Sequence, residues 1–164
     1  MASTYSSDLK LELITTGEKA GTWGTITNTN LQQLEQAASG YISHNIGAAD
    51  LALDLSNGAV SNGKNLYFKL TGTLTANRTM TMPDGAERVF VVEDATARSS
   101  SNYTLTVKTV SGTGLTLPVG STTLLYSDGT NITGKLQTKG YYTPSATYTT
   151  VNGDQVLIDT SGGG

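Results

Sequence analysis

The chain has 164 residues, 13 acidic against 10 basic side chains for a net charge of -3, and a hydrophobic fraction of 37%. Its charged fraction of 14% stands well below the roughly 25% of an average soluble domain, so polarity rests on Thr, Ser, Asn and 19 glycines. These figures exclude a basic field for nucleic acid or an anionic membrane. No run approaches the ~18 apolar residues of a membrane span, and a chain without cysteine has no disulfide or thiolate metal site.

Residues 1–47 read as an anchoring segment built from a strand, a loop and a helix. The opening residues lack the basic and apolar regions of a signal peptide, so synthesis in a reducing cytosol is expected. Leu9, Leu11 and Leu13 alternate with Lys10 and Glu12, the period of a short strand. A loop shaped by Gly17, Gly21 and Gly24 follows, and it is expected to lay Trp23 flat on a packed surface. Thr27 or Asn28 would then cap a helix. Leu31, Leu34, Ala38 and Tyr41 fall at i, i+3, i+7 and i+10, one apolar stripe, and Gly40 sits where such a helix would end.

Residues 48–137 read as β throughout. Leu51, Leu53 and Leu55 alternate, as do Leu66, Phe68 and Leu70; Met80 and Met82 follow, then the continuous run Val89–Val92, which predicts a strand buried on both faces. Tyr103, Leu105 and Val107 come next, then Leu115, Leu117 and Val119, then Leu124, Leu125 and Tyr126. Breakers at Asn57-Gly58, Asn62-Gly63, Asp84-Gly85, Gly112–Gly114 and Asp128-Gly129 separate them. Short strands at this spacing predict a mainly β chain whose central domain is an antiparallel β-sandwich or jelly roll. Residues 138–164 read as an extended arm around Pro144. They end in a strand, Gln155–Ile158, and a glycine tail, as though a further β module follows Gly164.

Candidate chemistry is sparse, and no catalytic, metal or cofactor-binding residue is assigned. The glycine spacing matches neither a dinucleotide nor a phosphate-loop fingerprint. His44 is the only histidine and reads as a polar residue after a helix rather than the base of a triad. Asp50 with Asp54 and Glu93 with Asp94 are the close carboxylate pairs a glycosidase would need, but they read more simply as turn and strand-end residues. The sequons at Asn77, Asn102 and Asn131 are what a Thr- and Asn-rich chain produces by chance. Trp23, Leu31, Leu34, Ala38 and Tyr41 remain. Either they pack onto the adjoining β domain, or they form a docking or oligomer surface.

The stretch Gly17-Glu18, Gly21-Thr22-Trp23-Gly24 and Asn28-Thr29-Asn30-Leu31 resembles the start of virion proteins of marine tailed phages. Tyr103–Val107, Gly114–Pro118 and Tyr126–Asn131 are similar to the β domain that follows it there. The resemblance implies a tail-fibre or other virion structural protein. Such a protein would be a homo-oligomer, a trimer as in phage fibres, with other tail or capsid proteins as partners and with no catalytic residue. Two further readings stand beside it: a capsid decoration protein clamping the head, and a polysaccharide-degrading enzyme of the particle using Asp54 or Glu93.

Overall fold

The computed structural model describes residues 3–138. At its start, Thr4–Tyr5 (β1) pairs antiparallel with Glu12–Leu13 (β2). The leucine alternation therefore does not make one strand. Lys10 adopts a left-handed φ of 56°, and its carbonyl accepts a hydrogen bond from the Gly58 N–H at 2.7 Å.

Helix α1 spans Trp23–Ser39 and starts earlier than Thr27. Lys19 (φ 61°) and Gly21 (φ 81°) turn the loop back, so the Lys19 carbonyl accepts from the N–H groups of both Thr22 and Trp23. Thr22 holds the N-cap position without a side-chain cap. Gly17 is also left-handed (φ 84°), whereas Gly24 lies within the helix. Gly40 ends the helix where expected, in an extended conformation. Tyr41 therefore opens a strand instead of closing the helical stripe.

From Tyr41 the strands are β3 (Tyr41–Asn45), β4 (Leu51–Ala52), β5 (Tyr67–Thr71), β6 (Thr73–Leu74), β7 (Arg78–Met82), β8 (Glu87–Asp94), β9 (Ala97–Arg98) and β10 (Leu105–Thr109). After them come β11 (Gly114–Thr116), β12 (Thr122–Asp128) and β13 (Ile132–Thr138). The chain is mainly β, as expected, but it lacks the antiparallel order of a jelly roll. Among the described residues five of the nine strand pairings are parallel.

The backbone winds through three turns of a coil. β3, β5 and β8 stack on one side, β6 and β9 on a second, and β4, β7 and β10 on a third. Tyr41, Tyr67 and Val91 share one register row, 26 and 24 residues apart, so each turn lays its side chains over those of the last. Antiparallel strands then close the third turn: β11 on β10, and the hairpin β12–β13 on β8.

Corners demand close backbone approach. Gly72 has φ +97° and would drive a Cβ into the Asn45 amide, and a Cβ on Gly47 would sit 2.7 Å from the Thr73 carbonyl. Inward rows fill the coil. Ile42, Phe68, Val92 and Thr123 align across one sheet, and Met80 aligns with Val107 across the other. Phe68 meets Phe90 edge to face at 5.9 Å. The run Val89–Val92 is not buried on both faces: Phe90 and Val92 are buried, Val91 is half-buried and Val89 is exposed. A corner ion pair, Arg98 to Asp94 at 2.5 Å, is itself buried. The stretch around Pro144 and the expected strand Gln155–Ile158 lie outside the described residues.

Candidate docking surface

Amphipathic helices ordinarily turn leucines inward and amides outward. Helix α1 does the reverse. At 3.6 residues per turn, Trp23, Leu31, Leu34 and Ala38 occupy roughly an 80° arc, and all four are exposed. Trp23 is 63% exposed, Leu31 56% and Leu34 42%. The loop glycines therefore do not lay Trp23 on a packed surface, and the stripe does not pack onto the coil.

The covered face is mainly polar, with Ile26 and Ala37 half-buried among its amides. Asn30 acts as a strand partner for β2, accepting from the Glu12 N–H at 3.0 Å and donating to the Glu12 carbonyl at 2.8 Å. Gln36 donates to the Ser61 carbonyl at 2.8 Å. Gln33 is fully buried and accepts from the Lys64 ammonium, which also donates to the carbonyls of Ser56 at 2.7 Å and Ala59 at 2.6 Å.

Lys64 lies at the end of a short 3₁₀ turn, Asn62–Lys64, and is fully buried with no carboxylate of the described residues in hydrogen-bond reach. Burial pushes its pKa down to about 8, with Arg88 and Lys10 adding repulsion and Asp54 opposing them. Arg88 clamps the far side of the same turn, donating to the carbonyls of Gly63, Lys64 and Asn65. Burial likewise lowers its pKa, to about 10. The helix thus rests on the coil through hydrogen bonds to a buried cation and to main-chain carbonyls.

Tyr41 lies beyond the helix, 59% exposed, and stacks on Tyr67 at 5.7 Å. Val91 and Leu124 continue that row across the outer face of the five-stranded sheet. Beside it, Glu93 accepts from the Tyr67 hydroxyl at 2.8 Å and pairs with Lys69 at 3.0 Å. Hydrogen bonds from Lys69 and then Tyr67 hold the Glu93 carboxyl below its usual range.

The other residues singled out by sequence sit in structural roles. Asp50 accepts from the Thr79 N–H at 2.9 Å and Asp54 from the Ser56 hydroxyl. Asp94 is buried against Thr96 and Arg98. His44 faces inward in register with Leu70 and Asp94. Asn77 and Asn131 accept from the N–H groups of Thr104 and Thr113. The structure does not bring these groups together as a site. Sequence reasoning missed Asn30, Gln33, Gln36 and Lys64. Their signal was a helix whose non-apolar face carries amides and a single charge, Glu35, where a solvated face would carry several.

No family model matches the chain, and neither a curated protein nor a solved structure is similar to it.

Proposed function

We propose that the chain is the virion-attachment part of a phage tail or head fibre, a homo-oligomeric structural protein that docks to other tail or capsid proteins and holds distal receptor-binding parts. Its work is binding, and multivalent display gives the distal parts avidity. One observation carries the reading. Among the described residues all sixteen buried hydrophobic residues lie at or after Ile46, whereas seven of the eleven exposed large hydrophobics lie at or before Tyr41. An N-terminal segment that keeps its apolar residues outside, on a helix held by amides, suits a surface covered in assembly.

Trp23 is the only tryptophan, so it both tests and reports the docking. Trp23→Ala should lower incorporation into particles at least tenfold while the purified variant melts as the wild type does. In the wild type, tryptophan emission should shift to the blue on assembly. Incorporation of Trp23→Ala at wild-type levels would refute the docking role.

A further inference from the structure

We propose that the free edge of β3 pairs antiparallel with β3 of a second copy of this chain, Ser43 lying on the twofold axis. The inference rests on the reading of the chain as an assembly subunit, but it uses a surface separate from the helical stripe.

Among the described residues β3 is the last strand of the five-stranded sheet and bonds only to β5. Two bonds fix the phase of that ladder: the Tyr67 N–H donates to the Gly40 carbonyl at 2.9 Å, and the Ile46 N–H donates to the Thr71 carbonyl at 3.0 Å. Even-numbered residues therefore turn their main chain toward β5. The N–H and C=O groups of Tyr41, Ser43 and Asn45 point away from it. All three residues are exposed, and those main-chain groups have no partner among the described residues.

Such an edge is a template for another strand unless it is guarded by a charge, a proline, a bulge or shortness. Other edges of the coil are guarded. The pairing of β13 with β12 is broken by a register shift between Leu124 and Leu125, β11 has three residues and β4 has two. β3 has five residues, Tyr-Ile-Ser-His-Asn, with none of these devices.

The strand is also self-complementary. Centred on Ser43, an antiparallel twofold sets Ser43 against Ser43, Tyr41 against Asn45 and Ile42 against His44. The three outward pairs then exchange main-chain hydrogen bonds. A twofold apposes like residues on its axis, and β3 contains no carboxylate, lysine or arginine to repel its copy, while its one histidine, His44, would stand opposite Ile42 and not opposite itself. Ile42 and His44 are half-buried at this open end, and pairing would extend the inner row over both. The threefold implied by the phage resemblance would be a different contact; a chain making both would form trimers joined in pairs.

Light scattering on the full chain at micromolar concentration tests this. Wild type should have an even number of chains. Ser43→Pro removes a donor from the free edge and none from the β3–β5 ladder, so it should halve the mass. Ser43→Lys and Ser43→Glu should each halve it too, and an equimolar mixture of those two should restore it, a result that folding defects would not give. A wild type that is monomeric or odd-numbered overturns the proposal, as does unchanged mass in the Lys and Glu variants. Loss of particle incorporation by Trp23→Ala with its mass retained would leave this pairing standing, so the two readings fail separately.

Discussion

Helix α1 and the β-coil draw on the same stock of leucines and amides and place them oppositely. In the coil, Phe68, Leu70, Met80 and Leu105 are fully buried and the polar residues alternate outward. In the helix, Leu31 and Leu34 face out while Gln33 is fully buried. Area burial stabilises the coil. The helix is held by directed bonds from Asn30, Gln36 and the Lys64–Gln33 pair, each contributing about 0.5–3 kcal/mol. The contrast teaches that burial of apolar area holds the coil, whereas directed polar bonds hold the helix and leave its apolar stripe in water.

The largest effect should break the coil and spare the helix. Leu70→Ala removes a fully buried side chain and should cost about 2–5 kcal/mol in denaturant unfolding. Leu34→Ala removes one already in water and should stay within about 0.5 kcal/mol. Comparable losses at the two positions would mean that the helical stripe is buried in the isolated chain.

Next is the pin beneath the helix. Lys64→Met leaves the oxygens of Gln33, Ser56 and Ala59 without their donor and should cost about 2–4 kcal/mol. It also carries a pH signature. An unfolded lysine titrates near 10.4 and Lys64 at about 8, so between these values the unfolded chain binds more protons and stability rises with pH. Below pH 8 the full penalty of the buried charge is present. The difference between wild type and Lys64→Met should therefore widen from pH 8 to about 10.4, by no more than ~1.4 kcal/mol per pH unit. A constant difference would show that Lys64 is not desolvated. Asn30→Ala should be milder, about 1 kcal/mol, and should raise amide exchange across Trp23–Ser39 while leaving β5 and β8 protected.

What could be read from the sequence follows from these physical differences. Alternation at Phe68/Leu70, Met80/Met82 and Leu105/Val107 predicted inward faces that are buried, because a strand's side chains alternate whatever lies beside it. The direction of pairing has no such local signature, and the parallel order was missed for that reason. Asp84-Gly85 and Asp128-Gly129 read alike as breakers between strands, yet the first joins β7 to β8 in different sheets and the second joins the antiparallel pair β12–β13. The stripe at Leu31, Leu34 and Ala38 was legible as a stripe. Its outward direction was not, since periodicity shows that a face is apolar without showing which side the protein covers. The amides opposite it, and one buried lysine 31 residues away from Gln33, decide that.

The smallest effect sharpens the comparison at the junction of the two regions, in the first strand after the helix. His44 points into the coil, its Nε2 is buried without a hydrogen-bond partner among the described residues, and burial holds its pKa below the ordinary value. An unfolded histidine takes up its proton near pH 6.5, whereas His44 in the folded chain does so only at lower pH. Over that interval the unfolded state binds more protons, so stability falls as pH drops through 6.5 and levels off once the folded chain is protonated as well. Above pH 6.5 the group contributes no slope. His44→Gln should flatten this acid limb while shifting stability at pH 7.5 by about 1 kcal/mol or less, read by thermal melts across the range. A variant whose acid limb matches the wild type would place the titrating groups elsewhere, with the Glu93 carboxyl, lowered by Lys69 and Tyr67, as the next to replace.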